Sequence, residues 1–295
     1  MTKRRKKRTG SNRNSQAVRP PMALLDVVIP VYGRLDLLKQ CLASLDETRG
    51  DVPLSVIMVD DFSPNLEEML AYYETLPKEY AILRNAQNMG FPATANRGAM
   101  QGRSGFILFL STDIVLQPGC IQAMLAEFDD PKVGVVGPKL LFPEDSTEPS
   151  RAAGKVQHAG LCVDIQGNVV HANIGWGADH PKVNERRVVQ AVTGGLIMTR
   201  RETWNKVAAH YKRIGDPTRG GFNLVYGRGT YEDVEYCIAA RGNEYQVVYQ
   251  PKAVAVHHVG GSIRATGQGF ELKRNEMIFR ARCGHMLAWD MWRFC

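Results

Sequence analysis

From residue 24 to residue 136 the chain alternates short, continuously apolar runs with segments of helical periodicity, and this rhythm restricts the fold more than any other feature. Residues 24–29 read as a buried strand stopped at Pro30. Leu37, Leu38, Cys41, Leu42 and Leu45 then mark one face of a helix over 35–45. The order continues as strand 54–59, helix 66–76, strand 81–83, helix 92–101, strand 105–110, helix 121–128 and strand 133–136. Strands that are apolar on both faces and separated by helices indicate a parallel sheet with helices packed on both sides. The expectation is an α/β fold.

The rhythm breaks at a polar loop over 143–155, and a less regular half follows. Strands are expected at 160–164 and 188–198, a helix at 201–208, and a glycine-rich stretch from 215 to 229. A helix opens at Tyr231 and ends near Gly242. Strands at 245–249 and 253–256 come next, then a terminal helix over 270–292 interrupted at Gly284. No internal repeat is evident.

Charge divides the chain sharply. Residues 1–20 hold eight Lys and Arg and no acid. Removing those eight from the total of 37 leaves 29 cations against 30 acids, so the net +7 belongs to the N-terminal segment and the body is neutral. A nucleic-acid-binding body would spread its basic patch over the fold, so no nucleic-acid partner is expected. The segment itself reads as a disordered tail. It is suited either to solubility or to peripheral contact with an anionic membrane. No apolar run approaches a membrane span and no signal-peptide core stands at the start. Six cysteines without paired metal spacing read as reduced thiols. The expected location is therefore cytoplasmic, with a peripheral position at the inner membrane face as the variant.

Chemistry concentrates at a few places. Glu232 and Asp233 open a helix, where acids sit well against the positive helix end and a carboxylate can serve as a base. Asp60-Asp61 follows the second strand, Asp113 the fourth, and Pro30-Val31-Tyr32 the first. Ligands of parallel α/β sheets bind beyond such strand ends. His257-His258 also follows a strand. Each has a plainer reading: Asp60 and Asp61 suit a cap for the helix start at Ser63-Pro64, and Glu232-Asp233 an ordinary acidic first turn. Neither a P-loop nor a GxGxxG follows the first strand, which counts against ATP and dinucleotide enzymes. Carboxylates tolerate a diphosphate only with a hard cation between them, such as Mg²⁺ or Mn²⁺.

Taken in order, these segments resemble family 2 glycosyltransferases of the GT-A fold. The likeness runs through Asp26-Val27-Val28-Ile29-Pro30-Val31-Tyr32, Val59-Asp60-Asp61-x-Ser63 and Asn88-x-Gly90-Phe91 with Asn96 and Gly98. It continues in Leu110-Ser111-Thr112-Asp113, Val156-Gln157-His158-Ala159-Gly160, Val192-Thr193-Gly194-Gly195 and Gly220-Gly221-Phe222. Tyr231-Glu232-Asp233-Val234-Glu235-Tyr236-Cys237 and His257-x-x-Gly260-x-Ser262 complete it, so that residues 24–280 are covered. The rhamnosyltransferase-like branch, which builds bacterial surface polysaccharides, is the most similar.

The resemblance implies a Rossmann-like, mostly parallel sheet with helices on both faces, fused to a smaller mixed acceptor-side half. The divisions are a tail (1–20), a nucleotide-sugar-binding half (22–140), an acceptor and catalytic half (141–262) and a C-terminal helical segment (263–295). It also implies roles. Asp61 contacts the base, with Pro30 and Tyr32 lining its pocket; Asp60 and Asn96 belong to the same nucleotide-sugar site. Asp113 matches the last acid of the DxD motif and binds Mn²⁺ or Mg²⁺, although Ser111 stands where a first acid is often expected. His257, with His258 as the second candidate, helps hold the metal or diphosphate. Thr193 and Gly194 floor the donor or acceptor site. Asp233 is the base and Glu232 its neighbour near the acceptor.

The expected activity is inverting, metal-dependent transfer of a sugar from a nucleotide-diphosphate donor to a hydroxyl of a saccharide or lipid-linked saccharide. Two alternatives stay open. A sugar nucleotidyltransferase shares the architecture but needs a glycine-rich basic loop after the first strand, where only Gly33-Arg34 stands. A catalytically silent sugar-nucleotide-binding protein would keep the fold without needing Glu232 and Asp233.

Overall fold

A computed structural model describes residues 23–146, 148, 151–258 and 271–294. The basic N-terminal segment and the Gly260 and Ser262 positions lie outside the described residues. Strands β1 (Leu25–Val31), β2 (Leu54–Asp60), β3 (Ala81–Arg84) and β4 (Phe106–Leu110) pair in parallel, with β1 between β2 and β4. Helices α1 (Leu35–Thr48), α2 (Leu66–Tyr73) and α3 (Phe91–Gln101) make the crossovers.

The period of two along each strand explains the layering. Leu25, Val27, Ile29 and Val31 of β1 enter one core, with the apolar face of α1 and with Cys120, Ile121 and Met124 of α4 (Cys120–Ala126). Val28 points the other way, into a second core with Ala95 and Ala99 of α3. Trp204, Val207 and Tyr211 of α5 (Arg201–Arg213), Val234 and Tyr236 of α6 (Glu232–Gly242), and Phe279 of α7 (Leu272–Cys283) complete that core. The small residues of α3 have a steric reason: a Cβ on Gly98 would fall 2.4 Å from Val28 Cγ1. One buried acid is also structural. Asp26, 2% exposed, accepts hydrogen bonds from Ser104 N, Ser104 Oγ and Arg201 Nη2, so it ties β1 to the entry of β4 and the start of α5.

The second half extends the same sheet. β6 (Val133–Leu141), β10 (Arg187–Val189), β11 (Leu196–Arg200) and β12 (Gln246–His257) give the order β10-β12-β6-β11-β4-β1-β2-β3. β11 is antiparallel to both of its neighbours, and β12 runs parallel to β6. β5 (Ile114–Leu116) pairs with the end of β12, and β7 (Val156–His158) with the end of β6. A separate hairpin joins β8 (Leu161–Val163) to β9 (Val169–His171).

Three sequence expectations change. The strand expected over 188–198 is two strands, because the backbone at 193–195 bonds outside the ladder: Thr193 and Gly194 donate to side chains, and the Gly195 carbonyl accepts from Ser111 N. The strands expected at 245–249 and 253–256 are one, with a register shift between Gln250 and Val254 around Pro251, which has no N–H to donate. The terminal helix stops at Cys283 and gives way to short 3₁₀ turns at Gly284–Met286 and Met291–Arg293.

Candidate active site

The carboxyl ends of the parallel strands and the incoming end of β11 meet along one edge. Asp61 leaves β2 there, and Ser111 to Asp113 leave β4. Because β11 is antiparallel to β4, its first residues lie beside the last of β4, and Ser111 N donates to Gly195 O at 2.9 Å. β12 ends in the same place: His257 pairs with Ile114, and His258 N donates to Asp113 O at 2.9 Å. Gly194 and Gly195 fit between two functional side chains. A Cβ would come 3.1 Å from the Asp233 Cβ at Gly194, and 3.6 Å from the His257 ring at Gly195.

Asp113 and His257 form a pair whose chemistry suits a hard cation. Asp113 Oδ1 lies 3.4 Å from His257 Nε2, with the two side chains 14% and 16% exposed. Two ligands on adjacent corners of an octahedral ion stand roughly 3 Å apart, given metal–ligand distances near 2.1 Å. Gln157 sets the tautomer. Its Oε1 accepts from His257 Nδ1 at 2.6 Å, while its Nε2 donates to His257 O at 3.2 Å. With the proton on Nδ1, the neutral ring presents the Nε2 lone pair to the Asp113 side, the second-shell arrangement that orients metal-binding histidines. Burial is the largest influence on Asp113 and opposes its ionisation. Without a cation, the charge and hydrogen bond of a protonated His257, a backbone N–H and His258 together outweigh it and hold the carboxyl below its ordinary range. Among the described residues no set of three or more His, Cys, Asp and Glu side chains is gathered to hold a metal. The pair therefore fits Mn²⁺ or Mg²⁺ if substrate oxygens and water supply the remaining positions.

Glu232 and Asp233 are adjacent in sequence but face different surroundings. Asp233, partly exposed, accepts from Gly194 N through Oδ2 at 2.7 Å and from Val234 N through Oδ1 at 2.8 Å. Burial raises its pKa, and those two N–H groups partly offset the rise. Glu232 is 5% exposed, and its Oε2 has no hydrogen-bond partner. Burial, then the charge of Asp233, pushes its carboxyl well above the usual range. A carboxyl raised in the folded state favours folding at low pH and loses that contribution as pH climbs through the raised value. Glu232→Gln should therefore raise the melting temperature at about pH 8 and reduce the stability difference between about pH 5 and pH 8. Thermal unfolding at the two pH values measures this; an unchanged pH dependence would assign the effect to other groups.

The turn leading into α6 is strained and externally braced. Thr230 and Tyr231 have φ of 81° and 71°, conformations costly for residues with a Cβ. α7 holds them: Asn275 Nδ2 donates to Gly229 O at 2.7 Å and Tyr226 O at 3.0 Å, and Phe279 stacks on Tyr231 with centroids 5.0 Å apart. Arg282 grips Glu235 through two 2.9 Å bonds, and the Tyr226 hydroxyl donates to the same carboxylate at 2.6 Å. The C-terminal helix thus sets where the first turn of α6, and with it Asp233, projects. Asn275 carries no short-range sequence signal, because its partners lie more than forty positions upstream.

The nucleotide-side candidates divide. Asp61, 5% exposed, accepts from Asn85 Nδ2, Met89 N and Gly90 N at 2.7–2.8 Å, which shapes the 85–90 loop. Burial raises its pKa, with these bonds opposing. Asp60 is 1% exposed and accepts from Ser63 N, Tyr73 Oη and Arg84 Nη1. That is the turn-capping arrangement, and a ligand would have to displace Arg84 to reach it. Asn96 exchanges both ends of its amide with the Phe222 backbone, so it ties α3 to the 220–222 segment where a donor contact was expected. Pro30 and Tyr32 are partly exposed at the end of β1.

A cleft of about 460 Å³ opens beside the His257 end of this edge, and Asp61, Asp113 and Asp233 are not among its lining residues. That size suits a small-molecule site. His257, His258, Gln157 and Thr193 line it, and so do three side chains given no role from sequence: Arg34, Arg151 and His171. Arg34 pairs with Asp36, and Asp113 adds to the field that holds its guanidinium charged. Its only sequence signal is its place directly after Gly33 at the end of the first strand.

Comparisons with known proteins bear on the family and the fold. The family model "Glycosyl transferase family 2" matches residues 26–206, so Asp233 and His257 lie beyond the matched span. The O-antigen biosynthesis protein RfbC of Myxococcus xanthus is 25% identical over 249 residues, which are 82% of this chain and 18% of that protein. The chain spans less than half the length of the curated relatives it matches. Among solved structures, GalNAc-T7 with UDP, GalNAc and Mn²⁺ superposes with a TM-score of 0.60 at 14% identity, covering 81% of this chain and 44% of that one. The mannosyltransferase PcManGT from Pyrobaculum calidifontis, in complex with GDP-Man and Mn²⁺, gives a TM-score of 0.54 at 16% identity, covering 90% and 70%. The fold is therefore of the GT-A type.

Proposed function

The chain belongs to glycosyl transferase family 2, and we propose that it transfers a sugar from a nucleotide-diphosphate donor to an acceptor hydroxyl with inversion, in the synthesis of a polysaccharide or glycoconjugate. The observation that carries this reading is the pairing of an Asp113–His257 site with Asp233 across the Gly194-Gly195 backbone. One end suits the diphosphate and the other suits proton removal. Asp61, Pro30 and Tyr32 lie on the strand ends where the nucleoside would rest.

In this mechanism Asp233 takes the proton from the acceptor hydroxyl as that oxygen bonds to the anomeric carbon. The bond from that carbon to the diphosphate oxygen breaks, and its electron pair leaves with the nucleoside diphosphate. A single displacement inverts the anomeric centre. Gly194 N–H holds Asp233 Oδ2, which fixes the orientation of the carboxylate. Arg34 at the cleft wall favours the developing negative charge. Asp113 and His257 would hold Mn²⁺ or Mg²⁺, whose charge would neutralise the diphosphate. The relatives and solved structures named above support this reading through fold and family; the donor and acceptor of this chain are proposals of the site alone.

A panel of nucleotide sugars, assayed by thermal shift with Mn²⁺ and with EDTA, tests the reading. A ligand at about 100 times its dissociation constant adds roughly 2.7 kcal/mol of stability. Cation-dependent stabilisation by at least one nucleotide sugar is expected, followed by slow hydrolysis of that donor without acceptor. Stabilisation without turnover would favour the silent binding protein. Release of pyrophosphate from a sugar phosphate and a nucleoside triphosphate would favour the nucleotidyltransferase.

A further inference from the structure

Two histidines outside the carboxylate set meet at the cleft wall. His158 ends β7 and is fully buried, whereas His171 ends β9 and lines the cleft. The hairpin brings them together: their Nδ1 atoms are 2.9 Å apart, with the rings 80° to one another. One Nδ1 must donate and the other accept. Thr193 decides which, because its backbone N–H points at His158 Nε2 at 3.5 Å. A ring nitrogen facing an N–H carries a lone pair. The His158 proton therefore sits on Nδ1 and is donated to His171 Nδ1. A neutral His171 then carries its own proton on Nε2, for which no protein acceptor occurs among the described residues. Burial, then the nearby His257, pushes His171 down to about 4, in keeping with a neutral ring.

We propose that His171 is a specificity-determining residue whose Nε2–H donates a hydrogen bond to an oxygen of the bound nucleotide sugar, with the Thr193–His158 pair holding it in that tautomer. The inference rests on the glycosyltransferase reading of the cleft. Its position supports it: the His171 ring lines the same cleft as Thr193, which adjoins the Gly194 bonded to Asp233, and as His257 at the cation end. A neutral donor also has a functional logic. It binds a phosphoryl or hydroxyl oxygen without the extra attraction a fixed cation would exert on the released nucleoside diphosphate.

Titration calorimetry on the full chain tests this, using UDP, GDP and dTDP with Mg²⁺ and then the sugar nucleotide of whichever base binds. His171→Ala should weaken binding about tenfold, the worth of one hydrogen bond to a charged or strongly polar acceptor. His171→Gln should recover most of it, since its amide nitrogen stands near the former Nε2. Weakening already seen with the nucleoside diphosphate identifies a phosphoryl oxygen; weakening seen only with the sugar nucleotide identifies a sugar hydroxyl. If His171→Ala binds all of them as the wild type does while Asp113→Ala does not, the inference is overturned and the cleft keeps its function. If both variants bind normally, the nucleotide site lies elsewhere and both readings fall. Long-range proton–nitrogen NMR of the unmodified protein gives a check free of folding effects. It should find the His158 proton on Nδ1 and the His171 proton on Nε2, and the reverse pattern would overturn the proposal.

Discussion

Asp233→Asn is expected to slow sugar transfer by a factor of about 10² to 10⁴ while leaving nucleotide and cation binding intact. The substitution keeps the side-chain shape. It also keeps an oxygen able to accept from Gly194 N, so the 2.7 Å bond that orients the group survives. The capacity to take a proton disappears, and with it the bond from Val234 N, which the amide nitrogen cannot accept. Because the carboxylate is the active form, the wild-type rate should fall as pH drops through a value displaced upward from 3.8 by burial. Steady-state kinetics with a soluble acceptor, combined with calorimetry for the nucleotide, separate the outcomes. A near-normal rate would make the helix-start acids capping residues. Loss of nucleotide binding would move Asp233 into the donor site and leave the base to be found elsewhere.

The neighbouring acid sharpens that expectation. Glu232 is the more deeply buried of the two and its Oε2 lacks a partner, whereas Asp233 is partly exposed and held by two backbone N–H groups. Two adjacent carboxyls in such surroundings are pushed apart in affinity for the proton. The geometry assigns the easily ionised role to Asp233 and leaves Glu232 as the member that keeps its proton. The brace from α7 belongs to the same arrangement. A first turn preceded by two left-handed residues persists only where surrounding contacts over-determine it, and Asn275, Phe279 and Arg282 supply those contacts.

The parallel half of the fold was legible because its signals are local and repeated. Continuous apolar strands such as residues 25–31, followed by one-faced helices such as residues 35–48, define a parallel sheet within any short window. β5, β7 and β9 were not legible, since three residues carry no period, and β5 forms only through a partner far along the chain. Among site residues, the strand-end acids stood out by position, but their partners did not. Asp60 and Asp61 look alike in sequence, yet Arg84 and Tyr73 enclose the first while the 85–90 loop encloses the second. Asn96 was assigned to the donor site only through the family resemblance, and its amide meets the Phe222 backbone across 126 positions, a contact no local pattern signals. His171 carried no sequence signal, as its defining contact is with a histidine on another strand.

Asp113→Ala should abolish the cation-dependent part of nucleotide binding. The side chain is the carboxylate of the Asp113–His257 pair, so its loss leaves His257 alone there, and a single imidazole holds Mg²⁺ or Mn²⁺ poorly. In the wild type, a nucleoside diphosphate at about 100 times its dissociation constant should add roughly 2.7 kcal/mol with Mn²⁺ present. In the variant, the increments with Mn²⁺ and with EDTA should coincide. The unliganded melting temperature should change little, because the substitution removes a carboxylate whose main partner, His257, keeps its bond to Gln157. Gln157→Met provides the graded case: Asp113 remains, the constraint on the His257 tautomer goes, and cation affinity should fall about 10- to 100-fold without vanishing. If Asp113→Ala retained the full increment, the cation would have to sit away from the end of β4. The diphosphate would then have to lie elsewhere as well, because no other carboxylate–imidazole pair along this edge is bridged to Asp233 by the Gly194-Gly195 backbone among the described residues.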